Sequence, residues 1–489
     1  MMSRRELIVI LGLGILILVV YLPSFPGEFH FDDFSLMLEN PEVAAPHFSY
    51  GLFLQEYGGR PLTLWAFHWN HRLFGPNPWT YHAFSLILHF IAASLLFLWV
   101  RREADDVKWA FLAAAVFALH PLQTQPVNYI WSRSVLMMFC FGMASLLLVR
   151  RHAWLSLVCF QLAIWSRTDA VVFLIPLIVS HRRFWKAPVL LAVLNLGAFT
   201  YFMSQYRPAE IGWTHPHVLS YWLSQTVAFW KYLGMMVLPL GLSIDHDFAV
   251  RVPWQPVIAV IGLLVLAYVL WRNRSRYRLE VQAACWVALA LAPAALLPNS
   301  DPFNESRAYP ALAGFAVIAG SVLVRGFKRL PTISTVGAVV LLLALIPATA
   351  SRNNLWRSDL SVWQDAAQKN PHKARVLYNL AAAWARNGNV VQAERSFGAA
   401  LALDPSDDLA HAGLGYCAEV QGNWALSVER YRQAVSLNAR NRYAGEGLRR
   451  VSRHVEAARE GNGYNRSVEA GSTDSADYAD HADHGRLLK

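Results

Sequence analysis

Residues 336–348 read Val-Gly-Ala-Val-Val-Leu-Leu-Leu-Ala-Leu-Ile-Pro-Ala, and within a few positions the chain turns to Ser351-Arg352-Asn353-Asn354. Apolar runs of this kind recur from Leu7 to Ala348 and then stop. The break divides the 489 residues into an apolar part, 1–350, and a polar remainder. Across the chain 55% of residues are apolar, 16% are charged and the mean hydropathy is +0.29. A soluble protein of this length would carry far more surface charge. Nineteen Trp and eighteen Tyr suit wide membrane–water interfaces, where amphipathic rings settle. The net charge of +10 does not point to nucleic acid, because the cations cluster between apolar runs and report topology.

A spanning helix takes about 20 apolar residues, fewer where the bilayer thins. Eleven spans are predicted, near 7–22, 81–100, 109–119, 135–149, 153–165, 169–181, 187–204, 254–271, 281–298, 310–325 and 331–350. The segment 215–243 is read as interfacial. The first run has the charged start and apolar core of a signal peptide but no small-residue cleavage site, so it is read as a retained helix. With the N-terminus cytoplasmic, the inner loops hold seventeen basic residues and the outer loops before the tail hold eight. The positive-inside rule favours that orientation and puts the polar remainder on the outer, non-cytoplasmic side. Cys140, Cys159 and Cys285 lie in apolar runs and Cys417 in the tail, which leaves no disulfide framework.

Two segments of the tail match at a period of 34 residues. Leu380-Ala381, Gly388-Asn389, Phe397 and Ala400 recur as Leu414-Gly415, Gly422-Asn423, Tyr431 and Ala434. Small residues at close helix contacts and an aromatic knob on the second helix are what stacked helical hairpins need. Pro371, Trp363 and Ala366 add a half repeat before them. A tetratricopeptide-repeat solenoid over 351–456 is therefore expected, serving as a spacer or as a groove for a protein partner. The stretch 457–489, rich in Ser, Asp, Ala and Gly, is expected to be disordered, with His481 and His484 solvated.

Chemistry gathers on the outer face. Phe29-His30-Phe31-Asp32-Asp33-Phe34 follows the first span, and Asn40-Pro41 comes soon after. Two adjacent carboxylates among aromatics suit a general base for an acceptor hydroxyl, a divalent cation such as Mg or Mn, or a solvated helix cap. All three readings stand. His120-Pro121-Leu122-Gln123-Thr124-Gln125 leads to Asn128 and Trp131-Ser132-Arg133; Trp165-Ser166-Arg167-Thr168-Asp169 sits between two apolar runs; Asn304-Glu305-Ser306-Arg307-Ala308-Tyr309 precedes a span. Arg60-Pro61-Leu62-Thr63 and Tyr81-His82 complete the set. Ionisable residues at membrane depth mark functional sites. Arg60, Arg133, Arg167 and Arg307 fall on the face otherwise poor in cations, where an anionic phosphate is the simplest ligand.

The order Asp-Asp after span one, Asn-Pro, Arg-Pro-Leu, His-Pro…Thr…Val…Arg and C-terminal repeats resembles the transmembrane and tetratricopeptide-repeat O-mannosyltransferases and their bacterial relatives, in the C-type (GT-C) glycosyltransferase superfamily. The resemblance reaches to about Arg450. It implies an all-α protein: a polytopic membrane bundle joined to a small repeat solenoid. It also implies inverting transfer of a sugar from a polyprenyl-phosphate carrier to an acceptor hydroxyl of protein or glycan, in a bacterial cell membrane if the chain is bacterial. By carry-over, Asp32 and Asp33 lie in the catalytic loop, one of them the base. His120, Arg133, Arg167 and Arg307 would face the donor phosphate, with Arg60, His82, Gln125, Glu305 and Asp169 in support. The chain departs from the family pattern at Gln125, where a Glu is usual, and at Val135, where an Asp is usual. It departs again at Arg167-Thr168, where Lys-Glu is usual, and in the split Glu305-Ser306-Arg307. An O-antigen-ligase-like transferase and a non-enzymatic scaffold are the alternatives. A ligase would put its chemistry in a late outer loop, and a scaffold would not need Asp32 or Arg133.

Overall fold

The computed structural model describes residues 3–38, 40–45, 47, 60–206, 218–250, 252–298 and 301–464; among these there is no strand. Arg207 and Arg251, counted above as outer-loop cations, and residues 465–489 of the tail read as disordered lie outside them. The longer helices of the first unit are α1 Arg4–Tyr21, α2 Pro61–Phe74, α3 Pro78–Ala104, α4 Val107–Leu119, α5 Arg133–Leu148, α6 Ala153–Ser166, α7 Leu174–Ser180, α8 Lys186–Tyr206, α9 Val218–Val237, α10 Trp254–Asn273, α11 Arg278–Leu296, α12 Ala308–Arg329 and α13 Pro331–Leu355. Among the described residues, seven helical stretches are long and apolar enough to cross a membrane. Four shorter apolar ones, Val107–Leu119, Ala153–Ser166, Thr168–Ser180 and Lys186–Tyr201, bring the total to the eleven predicted segments. Val218–Val237 is not among them. The chain is an all-helical, multi-pass membrane protein.

Local chemistry sets the helix starts. In α1, Ser3 Oγ accepts from the Glu6 amide and Glu6 Oε2 accepts from the Ser3 amide, a reciprocal cap. Asp106 Oδ1 caps α4 through the Lys108 and Trp109 amides. α4 is apolar on every face and only 13 residues long, about 20 Å against a hydrocarbon core of roughly 30 Å. Its short length is tolerated because Ala113 to Leu119 are all buried by neighbouring helices rather than facing lipid. One such neighbour is α12. There Gly320 permits the close approach, since a Cβ at that position would stand 2.9 Å from the Trp109 ring and 3.1 Å from the Ala113 amide nitrogen. By contrast, Val257, Ile258, Ile261 and Leu264 of α10 and Val336, Val339, Val340 and Leu343 of α13 point outward, as lipid-facing residues do.

The two ends of the bundle differ in charge pattern. At one, Arg101 pairs with Glu6 at 3.1 Å and Arg102 donates to the Leu147 carbonyl, with Arg150 and Glu103 3.4 Å apart beside them. At the other lie all the outer-face motifs quoted above.

The second unit comprises Ser243–Asp247 together with the chain from Ser358 on. The division falls at Arg357 rather than at 350. Helix α13 continues past its apolar stretch because the polar residues at its end are bonded: Asn353 Nδ2 donates to the Val20 carbonyl and Arg352 Nη1 to the Leu242 carbonyl. In unit two, α14 Asp359–Lys369 precedes the hairpins α15 Ala374–Arg386 with α16 Val390–Leu403 and α17 Asp408–Val420 with α18 Trp424–Leu437; α19 Arg442–Tyr464 follows. It extends past 456, where the repeat fold was expected to end. The 34-residue period is visible in space. Gly388 and Gly422 turn the two hairpins at φ +76° and +75°, the left-handed conformation glycine adopts without strain. Phe397 lies over Gly413, and Tyr431 over Gly415 and Gly447, so the rings fill the room that missing side chains leave. Within this unit Asp245 accepts two bonds from the Arg375 guanidinium, each 2.6 Å, and pairs with Lys373.

Candidate active site

The segment that follows α1 folds around Asp33. Asp33 is fully buried, with Oδ2 accepting from the His30 amide at 3.0 Å and Oδ1 from the Trp131 amide at 2.7 Å. The Asp33 amide in turn donates to the His30 carbonyl. Between them Phe31 is held at φ +49°, a conformation that costs a bulky residue about 1–3 kcal/mol. The turn sends the two carboxylates apart. Asp32 stays half-buried and accepts a 2.7 Å hydrogen bond from the Tyr129 hydroxyl. Burial lifts the Asp33 carboxyl to about 7, against the opposing pull of the two amides. The pair therefore does not present converging oxygens to a divalent cation, which wants about six of them. Among the described residues, no cluster of three or more His, Cys, Asp and Glu side chains gathers to hold a metal.

Other contacts fasten this loop to the rest of the unit. His30 Nε2 bonds the Trp356 carbonyl at 3.0 Å, and the Glu28 amide donates to the Arg357 carbonyl. Gly27 passes so close that a Cβ there would lie 2.8 Å from the carbonyl oxygens of Ser24 and Trp356 and 3.0 Å from His82 Nε2. Asn128 Nδ2 donates to Asn353 Oδ1 at 2.7 Å, which joins the loop before α5 to the end of α13. Tyr129 stacks on Trp356 with ring centroids 6.4 Å apart.

The eleven residues singled out from the sequence separate into two sets. Asp33, His82, His120, Gln125, Arg133 and Glu305 are buried. His120 spends both ring nitrogens on backbone: Nδ1 accepts from the Leu122 amide and Nε2 lies 3.0 Å from the Met236 carbonyl. It holds two segments together, and burial drops its pKa to about 4. Arg133 has no exposure. Its Nη2 donates to Asn70 Oδ1 and the Tyr81 carbonyl, and its guanidinium sits 4.6–5.3 Å from the ring centres of Phe67, Phe84 and Tyr81. That aromatic cage stabilises the cation, with Asp33 the acid in its field. Glu305 pairs with Arg352 at 3.8 Å.

The remaining five, Asp32, Arg60, Arg167, Asp169 and Arg307, are all half-buried. Arg167 Nε donates to Asp169 Oδ2 at 2.5 Å. Arg167, Asp169 and Arg307 line one small hollow with Ser306, its free space about 10 Å³. Arg60 connects this group to the acid pair: withdrawal from water and the like charge of Arg167 lower its pKa to about 10, opposed by Asp169, Tyr129 and Asp32. Four separate chain segments thus place three cations and two acids within one another's field.

Tyr129, Arg352 and Asn353 escaped the sequence reading. Tyr129 stands inside the quoted loop, and a buried Tyr hydroxyl needs a partner, so that signal was available. Arg352-Asn353 looked like the polar end of a span.

The chain is similar to the protein O-mannosyl-transferases. One from Caenorhabditis elegans is 24% identical over 82% of this chain and 63% of its own length. Protein O-mannosyl-transferase TMTC3 of Homo sapiens is 22% identical over 89% of this chain and 55% of its own length. Protein O-mannosyl-transferase TMTC2 of Mus musculus is 31% identical over 28% of this chain and 18% of its own length. The chain spans at most 63% of the length of these O-mannosyl-transferases. A tetratricopeptide-repeat family model matches residues 374–407, the hairpin of α15 and α16.

Proposed function

We propose that the protein is a membrane glycosyltransferase that moves a sugar from a polyprenyl-phosphate carrier to an acceptor hydroxyl, protein Ser/Thr among the candidates, on the non-cytoplasmic side. The observation that carries this reading is the half-buried set Asp32, Arg60, Arg167, Asp169 and Arg307, gathered at one end of a membrane bundle. Similarity to proteins named O-mannosyl-transferases supports it.

Asp32 is the base. Its carboxylate is reachable and is held in position by the Tyr129 hydroxyl, whereas both oxygens of Asp33 are committed to amides. The acceptor oxygen attacks the anomeric carbon in line and its proton passes to Asp32. The bond from that carbon to the phosphate oxygen breaks, and the phosphate keeps the electron pair, with inversion at carbon. The leaving phosphate gains charge in the transition state, so cations aimed at it bind it more strongly there than in the ground state. Arg167 and Arg307 take that role, with the phosphate replacing Asp169 as the partner of Arg167. Arg60 lies between phosphate and base. Arg133, His82, Gln125, Glu305 and His120 hold the loops that present these groups. The arginine-rich end of the bundle faces the cytoplasm, as the distribution of basic residues favours, and the repeat unit, from 358 on, presents acceptor or partner on the other side.

The test compares the glycome and secreted proteome of cells with and without the gene, by mass spectrometry, and then restores the gene as wild type or Asp32→Asn. A sugar–acceptor pair that disappears, returns with wild type and does not return with Asp32→Asn supports the proposal. Full restoration by Asp32→Asn overturns the base assignment. No change in any glycan overturns the transferase reading in favour of a scaffold.

A further inference from the structure

A second cavity lies at the opposite end of the bundle from the acid site. It holds about 280 Å³, near the lower end of the roughly 300–1,000 Å³ seen for small-molecule sites. Its walls come from α3, α5, α7, α11 and α12, with Leu96, Met143, Leu289 and Ala313 inside. Its rim includes Ile175, Val179 and Cys285, all exposed on the outside of the bundle, so the opening faces the bilayer sideways. Arg150, Arg278 and Glu103 border it at the end where α5 finishes and α11 begins.

We infer that this cavity binds one acyl chain of an anionic bilayer phospholipid whose phosphate is held by Arg150 and Arg278. Charge balance at the mouth favours an anion. Glu103 is shared between Arg102 at 3.0 Å and Arg150 at 3.4 Å, and Arg278 makes no ion pair among the described residues. One carboxylate thus faces three guanidinium groups. An apolar shaft under a surplus of positive charge is complementary to a lipid with an anionic head, and arginine is well suited to phosphate. The occupant is a phospholipid of the surrounding membrane rather than the sugar carrier. Arg133 opens α5, a helix of 16 residues, and Arg150 lies two residues beyond its end, so a phosphate here stands about 24 Å or more from the end that holds Asp32. The cavity also has room for a length of one chain only. The inference stands apart from the transferase proposal and survives its failure.

The experiment uses the full-length protein, purified and delipidated. It is then offered dioleoyl phosphatidylglycerol and dioleoyl phosphatidylcholine in equal amounts, and bound lipid is read by native mass spectrometry. Wild type is expected to retain phosphatidylglycerol over phosphatidylcholine by roughly tenfold or more, the size of a lost charge-assisted contact. Arg150→Gln with Arg278→Gln should erase the preference, the double Lys variant should keep it, and Val179→Trp, on the exposed rim, should lose both lipids. Thermal melting reports whether each variant is folded. Equal retention of the two lipids by wild type overturns the inference, as does an unchanged preference in the Gln variant or unchanged binding in Val179→Trp. In a second competition, with polyprenyl phosphate in place of phosphatidylcholine, preferential retention of polyprenyl phosphate over phosphatidylglycerol overturns the choice of occupant.

Discussion

Replacing each member of the Asp32-Asp33 pair by Asn should damage the protein in two different ways. In Asp33→Asn one carboxylate oxygen becomes an amide NH₂ facing a backbone N–H. Either the His30 or the Trp131 amide, both hydrogen-bonded to Asp33 now, is left buried without an acceptor. An orphaned buried donor costs about 1–3 kcal/mol, and the melting temperature should fall accordingly. Asp32→Asn keeps an oxygen for the Tyr129 hydroxyl on a half-buried group, so stability should change by less than about 0.5 kcal/mol. Transfer should nonetheless fall by roughly 10²–10⁴, the usual contribution of a general base. Acidity gives a second readout. Burial raises the Asp33 carboxyl from 3.8 to about 7, so the folded state binds the extra proton and wild-type stability falls as pH rises from about 4 to about 7. Asn does not titrate, and the deficit of Asp33→Asn should shrink across that window. Thermal melts between pH 4 and 8 and initial rates of transfer measure all of this. Undiminished transfer in Asp32→Asn, or a melting difference for Asp33→Asn that stays flat or widens with pH, refutes the division of labour.

Other expectations are briefer. Arg307→Gln and Arg167→Gln should each slow turnover about 10- to 100-fold, from about 1.5–3 kcal/mol per charge-assisted contact, in initial-rate assays. Asp169→Asn removes the charge that competes with phosphate for Arg167; the donor KM should fall severalfold. A higher KM would count against that exchange. Gly27→Ala drives a Cβ to 2.8 Å from two carbonyl oxygens that cannot move aside, and should destabilise by about 1–3 kcal/mol in thermal melts. Gly413→Ala puts a Cβ 2.3 Å from the buried Phe397 ring, with a loss of similar size, seen as earlier proteolysis of the repeat unit in the full-length protein.

The fold was legible where it depends on period and run length. The hydrophobic runs located eleven helical segments, even the 13 residues of α4, because burial on all sides and burial in lipid call for the same apolar composition. The tetratricopeptide hairpins were legible because a Gly opposite an aromatic 34 residues apart is a local rule repeated. The helix ends were less so. Arg352 and Asn353 continue α13 only because carbonyls of Leu242 and Val20 wait for them, and those partners are more than a hundred residues away.

The candidate site was legible as a set of positions and not as a set of environments, and the adjacent pair shows why. Asp32 and Asp33 have the same chemistry and nearly the same neighbours in sequence, and nothing local ranks one above the other. Their difference is created by residues 97–98 positions on: the Trp131 amide draws one carboxylate inward and the Tyr129 hydroxyl meets the other at the surface. The arginines follow the same logic. Arg133 stands where a phosphate contact was expected, yet three aromatic rings from α2 and α3 enclose it, while Arg60, a weaker candidate in sequence, stands between acids and cations. Burial, which sequence predicts poorly for a lone charged residue, decides which groups can touch a substrate and which can only hold the loops that do. A buried cation in a ring of aromatics is fixed in place, and that rigidity is what a half-buried carboxylate eleven residues beyond the end of α1, in a turn strained at Phe31, requires of its surroundings.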